Sequence, residues 1–389
     1  MNVESMTGRA LSVPTVEEML RKVDWNLPGT RGSEGVHALH PYPAKFIPEI
    51  PRRLLELFPP KAPGAMLDPF CGSGTALVEA LDTGIDAIGV DVNPLACLIS
   101  RVKTRLLPSD FEHASSKVLS LARLRLSHND IEIPKIPNLD HWFAPTVQRE
   151  LAAIVSEINS VESLESREAL QVALSRIVIE VSFQESDTRY AAIQKKFSKY
   201  DVLTAFRKSA IFVNKCLTGA SESRLFGRRG EPLILHRDVL TLGPMDIPKR
   251  IGIVITSPPY PNAYEYWLYH KYRMYWLGMD PILTKQSEIG ARPRYFRTNS
   301  EDEIDFERQM SQCFTLMASV MEPRTKACFV ISNSIIHGRM IDNVDLLTRA
   351  ARGHFSPVGV VPRKILTHRR SFNVRRNREE EYIMVLEKV

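Results

Sequence analysis

The chain has 389 residues, 44% hydrophobic and 25% charged, which suits one large α/β domain with insertions or two domains. A net charge of +6 and a pI near 9.0 favour a polyanionic partner, and no apolar run approaches the roughly 20 residues that span a bilayer. The N-terminus lacks the basic-then-apolar layout of a secretory signal, and Cys71, Cys97, Cys216, Cys313 and Cys328 form no C-x-x-C pair, so a reducing, cytoplasmic setting with no metal site is expected.

The first predicted strand, Ala65–Leu67, ends at Asp68, and Phe70-Cys71-Gly72-Ser73-Gly74-Thr75 then leads into an apolar-periodic helix. Glycines at a strand-to-helix turn let the backbone bend sharply and let a ligand approach without a Cβ in the way. A second strand, Ile85–Val90, ends in Asp91. A carboxylate about 20 residues past such glycines is where a nucleoside-binding sheet holds ribose hydroxyls. The loop lacks the third glycine of the dinucleotide fingerprint and the G-K-[ST] ending of a P-loop, so it suits a nucleoside with a small polar tail. A lone Gly-x-Gly is equally a structural turn; the order strand, glycine turn, helix, strand, acid weighs against that account.

From about Pro108 to Gly230 the strand signal fades and amphipathic helical patterns dominate, which predicts a helical insertion between segments 1–107 and 231–389. Within it, Ser186 to Tyr200 is basic and aromatic; Arg189, Lys195, Lys196 and Lys199 would reach phosphates, and a solvated helix face accounts for them equally well.

Strands resume at Pro232–Leu235, followed by His236 and Asp238, and at Ile251–Thr256, followed by Ser257-Pro258-Pro259-Tyr260. Adjacent prolines stop a strand at one defined point, because each lacks an N–H and fixes its own φ. The aromatics from Tyr264 to Gly278 read mostly as core filler on a helix, with Tyr264 and Tyr266 the best placed to be exceptions. Ala291 to Arg297 is a small basic, aromatic stretch. Strands at Ala327–Ile331, Val358–Val361 and Tyr382–Leu386 complete the set. The last two have no helix between them, only a loop carrying Arg369, Arg370, Arg375 and Arg376, so they are expected to pair antiparallel at one edge of a mostly parallel sheet. Clustered arginine is the footprint of a phosphate backbone, and a solvated basic loop is the alternative.

Taken together, "DPFCGSGT", "VDVNPLA", "LHRDVLTL" and "TSPPY" resemble motifs I and II, the adenine-side motif and catalytic motif IV of the S-adenosylmethionine-dependent DNA amino-methyltransferases. "HPYPAKFIPEIPRRLL" is similar to their motif X, beside the methionine moiety, and "KACFVISNSIIHG" and "NREEEYIMVLEK" to their later strand motifs. The resemblance leaves out Pro108–Gly230. It is nearest to the cytosine-N4 type, although the motif order X, I, IV departs from the permuted order common in that type.

The resemblance implies a Rossmann-like methyltransferase core with helices on both faces. It implies S-adenosylmethionine as cofactor, held by Lys45, Phe46, Asp68, Phe70, Gly72, Gly74, Thr75, Asp91, Asn93 and Asp238. Ser257, Pro258, Pro259 and Tyr260 would hold the target base. His40 and Tyr42 would order the motif X loop, and His236 would be structural. Double-stranded DNA is the expected substrate, with Arg189, Lys195, Arg369, Arg370, Arg375 and Arg376 on its backbone and a restriction endonuclease of the same site as matching partner. The chemistry agrees: the lone pair of a base's exocyclic amine is delocalised into the ring, and acceptors aimed at its hydrogens return it to nitrogen. The Ser257 side chain and the Pro258 carbonyl would be those acceptors. Serine ahead of Pro-Pro-Tyr tilts the target toward cytosine N4; adenine N6, an RNA base, or a non-catalytic nucleic-acid-binding protein on the same fold are the alternatives.

Overall fold

Seven apolar stretches pair into one sheet: β1 (Ala65–Asp68), β2 (Ala87–Asp91), β3 (Pro232–His236), β4 (Ile251–Thr256), β5 (Met321–Ile331), β6 (Phe355–Lys364) and β7 (Glu380–Lys388). The structure, a computed structural model, describes residues 14–27, 34–61, 63–187, 189–224, 230–262, 265–295, 300–365 and 380–389. The strand order is β6-β7-β5-β4-β1-β2-β3. β3, β2, β1, β4 and β5 run parallel, while β7 is antiparallel to β5 and β6 antiparallel to β7. The expected mostly parallel sheet with an antiparallel edge pair is therefore what forms. The inner strands are apolar without alternation because both faces are covered. Helices Glu49–Leu57 and Thr75–Asp82 bury Met66, Ile253 and Ile255 on one face; Glu303–Val320 and Asn343–Ala350 bury Leu67, Val254 and Phe329 on the other.

The chain runs outward from β1 through β2 to β3, then returns to lay β4 against the free side of β1. The crevice outside the carboxyl ends of β1 and β4 is thus the topological switch point, where open α/β sheets bind ligands. That placement follows from connectivity alone.

The helical region is built from Phe111–His128, Leu139–Trp142, Pro145–Asn159, Leu164–Ile177 and Asp201–Arg224. It shares one apolar core with the sheet layer: Leu95, Leu98, Ile99 and Val102 of helix Pro94–Thr104 pack in the same cluster as Phe143, Leu170 and Phe206. Trp267, Tyr272 and Trp276 close that cluster, so most rings of the aromatic stretch are core filler as expected. Among the described residues the helical pattern gives way to strand in one place. Gln184–Ser186 and Arg189–Ala192 pair as an antiparallel ribbon, where the sequence reads as a continuing basic helix. The reason is tertiary: the Tyr190 ring lies 4.6 Å from Trp142 and stacks on Tyr272 at 6.4 Å, contacts that an extended segment presents. Because the core is shared, Trp276→Ala should cost about 3–5 kcal/mol of stability. It should lower one cooperative calorimetric transition; a separate, earlier melting of the helices would show that the two layers fold independently.

Among the described residues, no helix is long and apolar enough to cross a membrane.

Candidate active site

Two bends meet at the switch point. In the first, the Cys71 N–H donates to the Val90 carbonyl (2.9 Å) and the Gly74 N–H to the Cys71 carbonyl (2.7 Å), closing a tight turn between β1 and helix Thr75–Asp82. Gly72 and Gly74 have φ of +49° and +74°. A Cβ on Gly74 would lie 2.7 Å from the Ser100 hydroxyl, so both conformation and space demand glycine there. Asp91 fixes the shape of the bend from β2: Oδ2 accepts from the Gly72 N–H and Oδ1 from the Asn93 N–H, each at 2.8 Å. Asn93 in turn caps helix Pro94–Thr104, its Oδ1 accepting from the Leu95 N–H at 3.0 Å. Its buried Nδ2 has no hydrogen-bond partner among the described residues. Burial pushes the Asp91 carboxyl up to about 6, against the N–H groups that stabilise its charge. Thr75, buried, begins the helix.

The second bend follows β4. The Thr256 hydroxyl donates to Asp68 Oδ1 at 2.6 Å, joining the last residues of the two neighbouring strands directly. Beyond it, the Ser257 and Tyr260 hydroxyls both donate to the Val330 carbonyl on β5, at 3.2 and 3.1 Å. Pro258 is buried, whereas Ser257, Pro259 and Tyr260 are half-buried. Phe70 from the first bend and Tyr260 from the second pack on the same apolar cluster. The Asn262 N–H donates to the Gly290 carbonyl at 3.0 Å, tying the end of this bend to the segment before Ala291.

Asp238 joins the edge from β3. The Arg237 N–H donates to the Asp91 carbonyl (3.1 Å), and the Asp238 carboxylate caps the following turn by accepting from the Leu240 N–H (3.0 Å). The remaining predicted residues behave differently from one another. Phe46 packs against the cluster that contains Cys71 and Val330. The Lys45 ammonium donates to the His37 and His40 carbonyls at 3.1 and 3.2 Å, and burial holds it down at about 8; it ties up its own loop. Lys195 donates to the carbonyls of Ile179, Glu180 and Gln184 (3.2, 3.4 and 2.8 Å), clamping the chain that follows helix Leu164–Ile177. Arg189 is exposed and pairs with Glu185 at 2.8 Å. Arg369, Arg370, Arg375 and Arg376 lie outside the described residues, as does Tyr264.

Two residues gain a place at the site that sequence reasoning did not give them. Tyr42 lies over the glycine bend: a Cβ on Gly72 would touch its ring at 3.6 Å, and the ring stacks on Tyr266 at 5.7 Å. Glu288 is buried and accepts from the Tyr266 N–H at 2.8 Å; burial pushes its carboxyl up to about 8, and the charges of Asp91 and Glu265 push the same way. Nothing in "KQSEIG" distinguishes that acid from a solvated one.

Asp68 has a pH signature. Burial pushes its carboxyl from 3.8 to about 7, against the hydrogen bonds from Thr256 and the Phe70 N–H. The folded chain therefore binds this proton more tightly than the unfolded one. Its contribution to stability is full below about pH 4 and is lost as pH rises through about 7. Asp68→Asn removes the titration, so the variant's melting temperature should rise relative to the wild type between those two values and level off above. A constant difference across that range would mean the carboxyl is not held neutral.

Residues 13–101 match the model of a DNA methylase family, the N6/N4 methyltransferases. Over that stretch the chain is similar to N6/N4 DNA methylases. The stretch contains the glycine bend, Asp91 and Asn93; Ser257–Tyr260 lies beyond it. The chain is 32% identical over 162 residues to the type II methyltransferase M.MvaI of Kocuria varians, covering 39% of this chain and 36% of that one. It is 41% identical over 95 residues to M.MjaII of Methanocaldococcus jannaschii, 22% of this chain and 17% of that one. With M.BsoBI of Geobacillus stearothermophilus it is 21% identical over 273 residues, 64% of this chain and 54% of that one. The matches thus span no more than about half the length of these relatives, up to 54%.

Proposed function

We propose that this protein transfers a methyl group from S-adenosylmethionine to the exocyclic amine of a base in double-stranded DNA, and that the base is cytosine, methylated at N4. The observation that carries the reading is the Thr256–Asp68 hydrogen bond of 2.6 Å, which holds the roots of the glycine bend and the Ser-Pro-Pro-Tyr bend side by side. The residues fit the cofactor: a glycine bend at Gly72 with the Tyr42 ring over it, a carboxylate at Asp91 with lone pairs left for hydroxyls, and a buried amide at Asn93 without a partner among the described residues. When bound, S-adenosylmethionine supplies an electrophilic methyl group.

The chain's own residues do the rest. The backbone of Gly72 and the carboxylate of Asp91 orient the nucleoside, and Phe70 lines the same edge. The Ser257 hydroxyl donates its hydrogen bond to the Val330 carbonyl, so the lone pairs of its oxygen remain to accept from the target amine. The Pro258 carbonyl is the second acceptor, held by the fixed φ of the two prolines and needing little reorganisation. The Tyr260 ring stacks on the base, which in a duplex must first swing out of the helix. Serine at position 257, where a carboxylate or carboxamide would suit adenine, supports cytosine as the target.

Incubating the protein with methyl-labelled cofactor and duplex DNA of varied sequence, then digesting to nucleosides, tests this. Label in N4-methylcytosine is expected. Label in N6-methyladenine would overturn the choice of base, and transfer to RNA but to no DNA would overturn the substrate.

A further inference from the structure

We infer that the β-ribbon after β5 is a wedge that enters the duplex where the target base leaves it, with Ile335 and Met340 as the inserted side chains. The inference rests on the DNA reading above.

The ribbon pairs Ser334–Ile336 with Arg339–Ile341. Its turn, His337-Gly338, has φ of +47° and +78°, the two-residue geometry that keeps a hairpin tight and fixes its register. Three anchors hold it. The Asn262 amide, two residues past Tyr260, donates to the Ile335 carbonyl at 2.7 Å. The Asn343 amide donates to the Ser334 hydroxyl at 2.8 Å. At the tip, the His337 ring donates to the Tyr295 carbonyl at 3.0 Å. The ribbon therefore stands beside the Ser-Pro-Pro-Tyr bend and is fastened to it.

Successive side chains on a strand alternate faces, so one face of this ribbon must point outward. Ile336 and Ile341 turn inward and are 3% and 8% exposed. Ile335 and Met340 are direct cross-strand partners on the outer face, 41% and 71% exposed. Single exposed apolar residues are ordinary. A paired isoleucine and methionine, on the face where water favours polar groups, form one apolar knuckle beside the predicted base pocket.

Charge names the occupant. Ser334 to Ile341 contains exposed Arg339 and His337 and no acid, the nearest acid along the chain being Asp342 at the far end from the tip. An apolar knuckle on one face, with exposed Arg339 beside the tip on the other, matches a duplex: phosphates beside the ribbon, unstacked base faces against the knuckle. Isoleucine and methionine are among the side chains that insert at such unstacked steps. Extruding the target base leaves a gap of that kind, and filling it favours the extruded state.

The test uses the double variant Ile335→Ser, Met340→Ser in the full chain, on duplexes holding a sequence that the wild type methylates. Both side chains are exposed, so the melting temperature and labelled-cofactor binding should match the wild type. The kcat/KM on a fully paired duplex should fall at least tenfold, and by less than twofold where the target base is mispaired and leaves the stack cheaply. A 2-aminopurine at the target position should brighten with the wild type and stay quenched with the variant. Equal losses on both duplexes, or unchanged 2-aminopurine brightening, would overturn the wedge while leaving the methyltransferase reading standing. A wild type that sediments as a dimer beside a monomeric variant would assign the knuckle to a second copy and overturn it too. Failure of the wild type to label any DNA would count instead against the reading on which the wedge rests.

Discussion

Asp91→Ala should weaken S-adenosylmethionine binding by at least about 100-fold, measured by titration calorimetry. The Asp91 carboxylate accepts from the Gly72 and Asn93 N–H groups, so it holds the glycine bend in shape, and in the proposed function it also faces the ribose hydroxyls. Hydrogen bonds to a charged group contribute roughly 1.5–3 kcal/mol each. Losing the ligand contact and the bend's preorganisation together thus amounts to about 3 kcal/mol or more, two decades in Kd. The carboxyl is pushed up to about 6 by burial, which adds a second, independent expectation. Protonation removes an acceptor, so cofactor affinity of the wild type should decline as pH falls through about 6. Affinity independent of pH there, or unchanged in the alanine variant, would place the cofactor elsewhere.

Ser257→Ala should leave cofactor affinity intact and lower kcat by about 100- to 1000-fold, the range seen when one preorganised polar group is deleted from a reacting centre. The hydroxyl's proton is engaged by the Val330 carbonyl at 3.2 Å, which fixes the direction of its lone pairs before substrate arrives. The neighbouring Tyr260 separates binding from chemistry. Tyr260→Ala removes the stacking face and should raise the KM for DNA by about 10- to 100-fold, since base–aromatic stacking contributes roughly 1–3 kcal/mol. Tyr260→Phe keeps the ring, loses the hydroxyl with its bonds to Val330 and Ser257, and should fall between. Unchanged turnover in Ser257→Ala would remove serine from the amine's surroundings and leave Pro258 as the lone candidate acceptor.

The seven sheet strands were legible at their cores because a strand buried on both faces is an apolar run, and glycine and proline punctuate its ends. The same local logic located the glycine bend, Asp91 and the double-proline stop. Where strands extend past that apolar core, pairing decides. β5 begins six residues before Ala327, with the polar stretch Met321 to Lys326 held beside β4 across a break in register. The ribbon at Gln184–Ser186 and Arg189–Ala192 was illegible for a related reason, since rings distant in sequence select its conformation.

Charge was legible only as composition. Lys45 and Lys195 read as cations available to a ligand, yet each donates to carbonyls of its own chain, because an ammonium partly withdrawn from water takes the acceptors the backbone leaves nearby. Tyr42 and Glu288 reach the site from segments more than 240 residues apart, 42 and 288, which no spacing rule connects. By itself the sequence determined the types of bend and the chemical groups they carry, since φ preference, hydrogen-bonding capacity and apolar runs are properties of neighbouring residues. Only the tertiary structure decided that the two bends share one crevice, because that depends on β4 returning to pair with β1, a contact between residues some 190 apart whose last hydrogen bond joins Thr256 to Asp68.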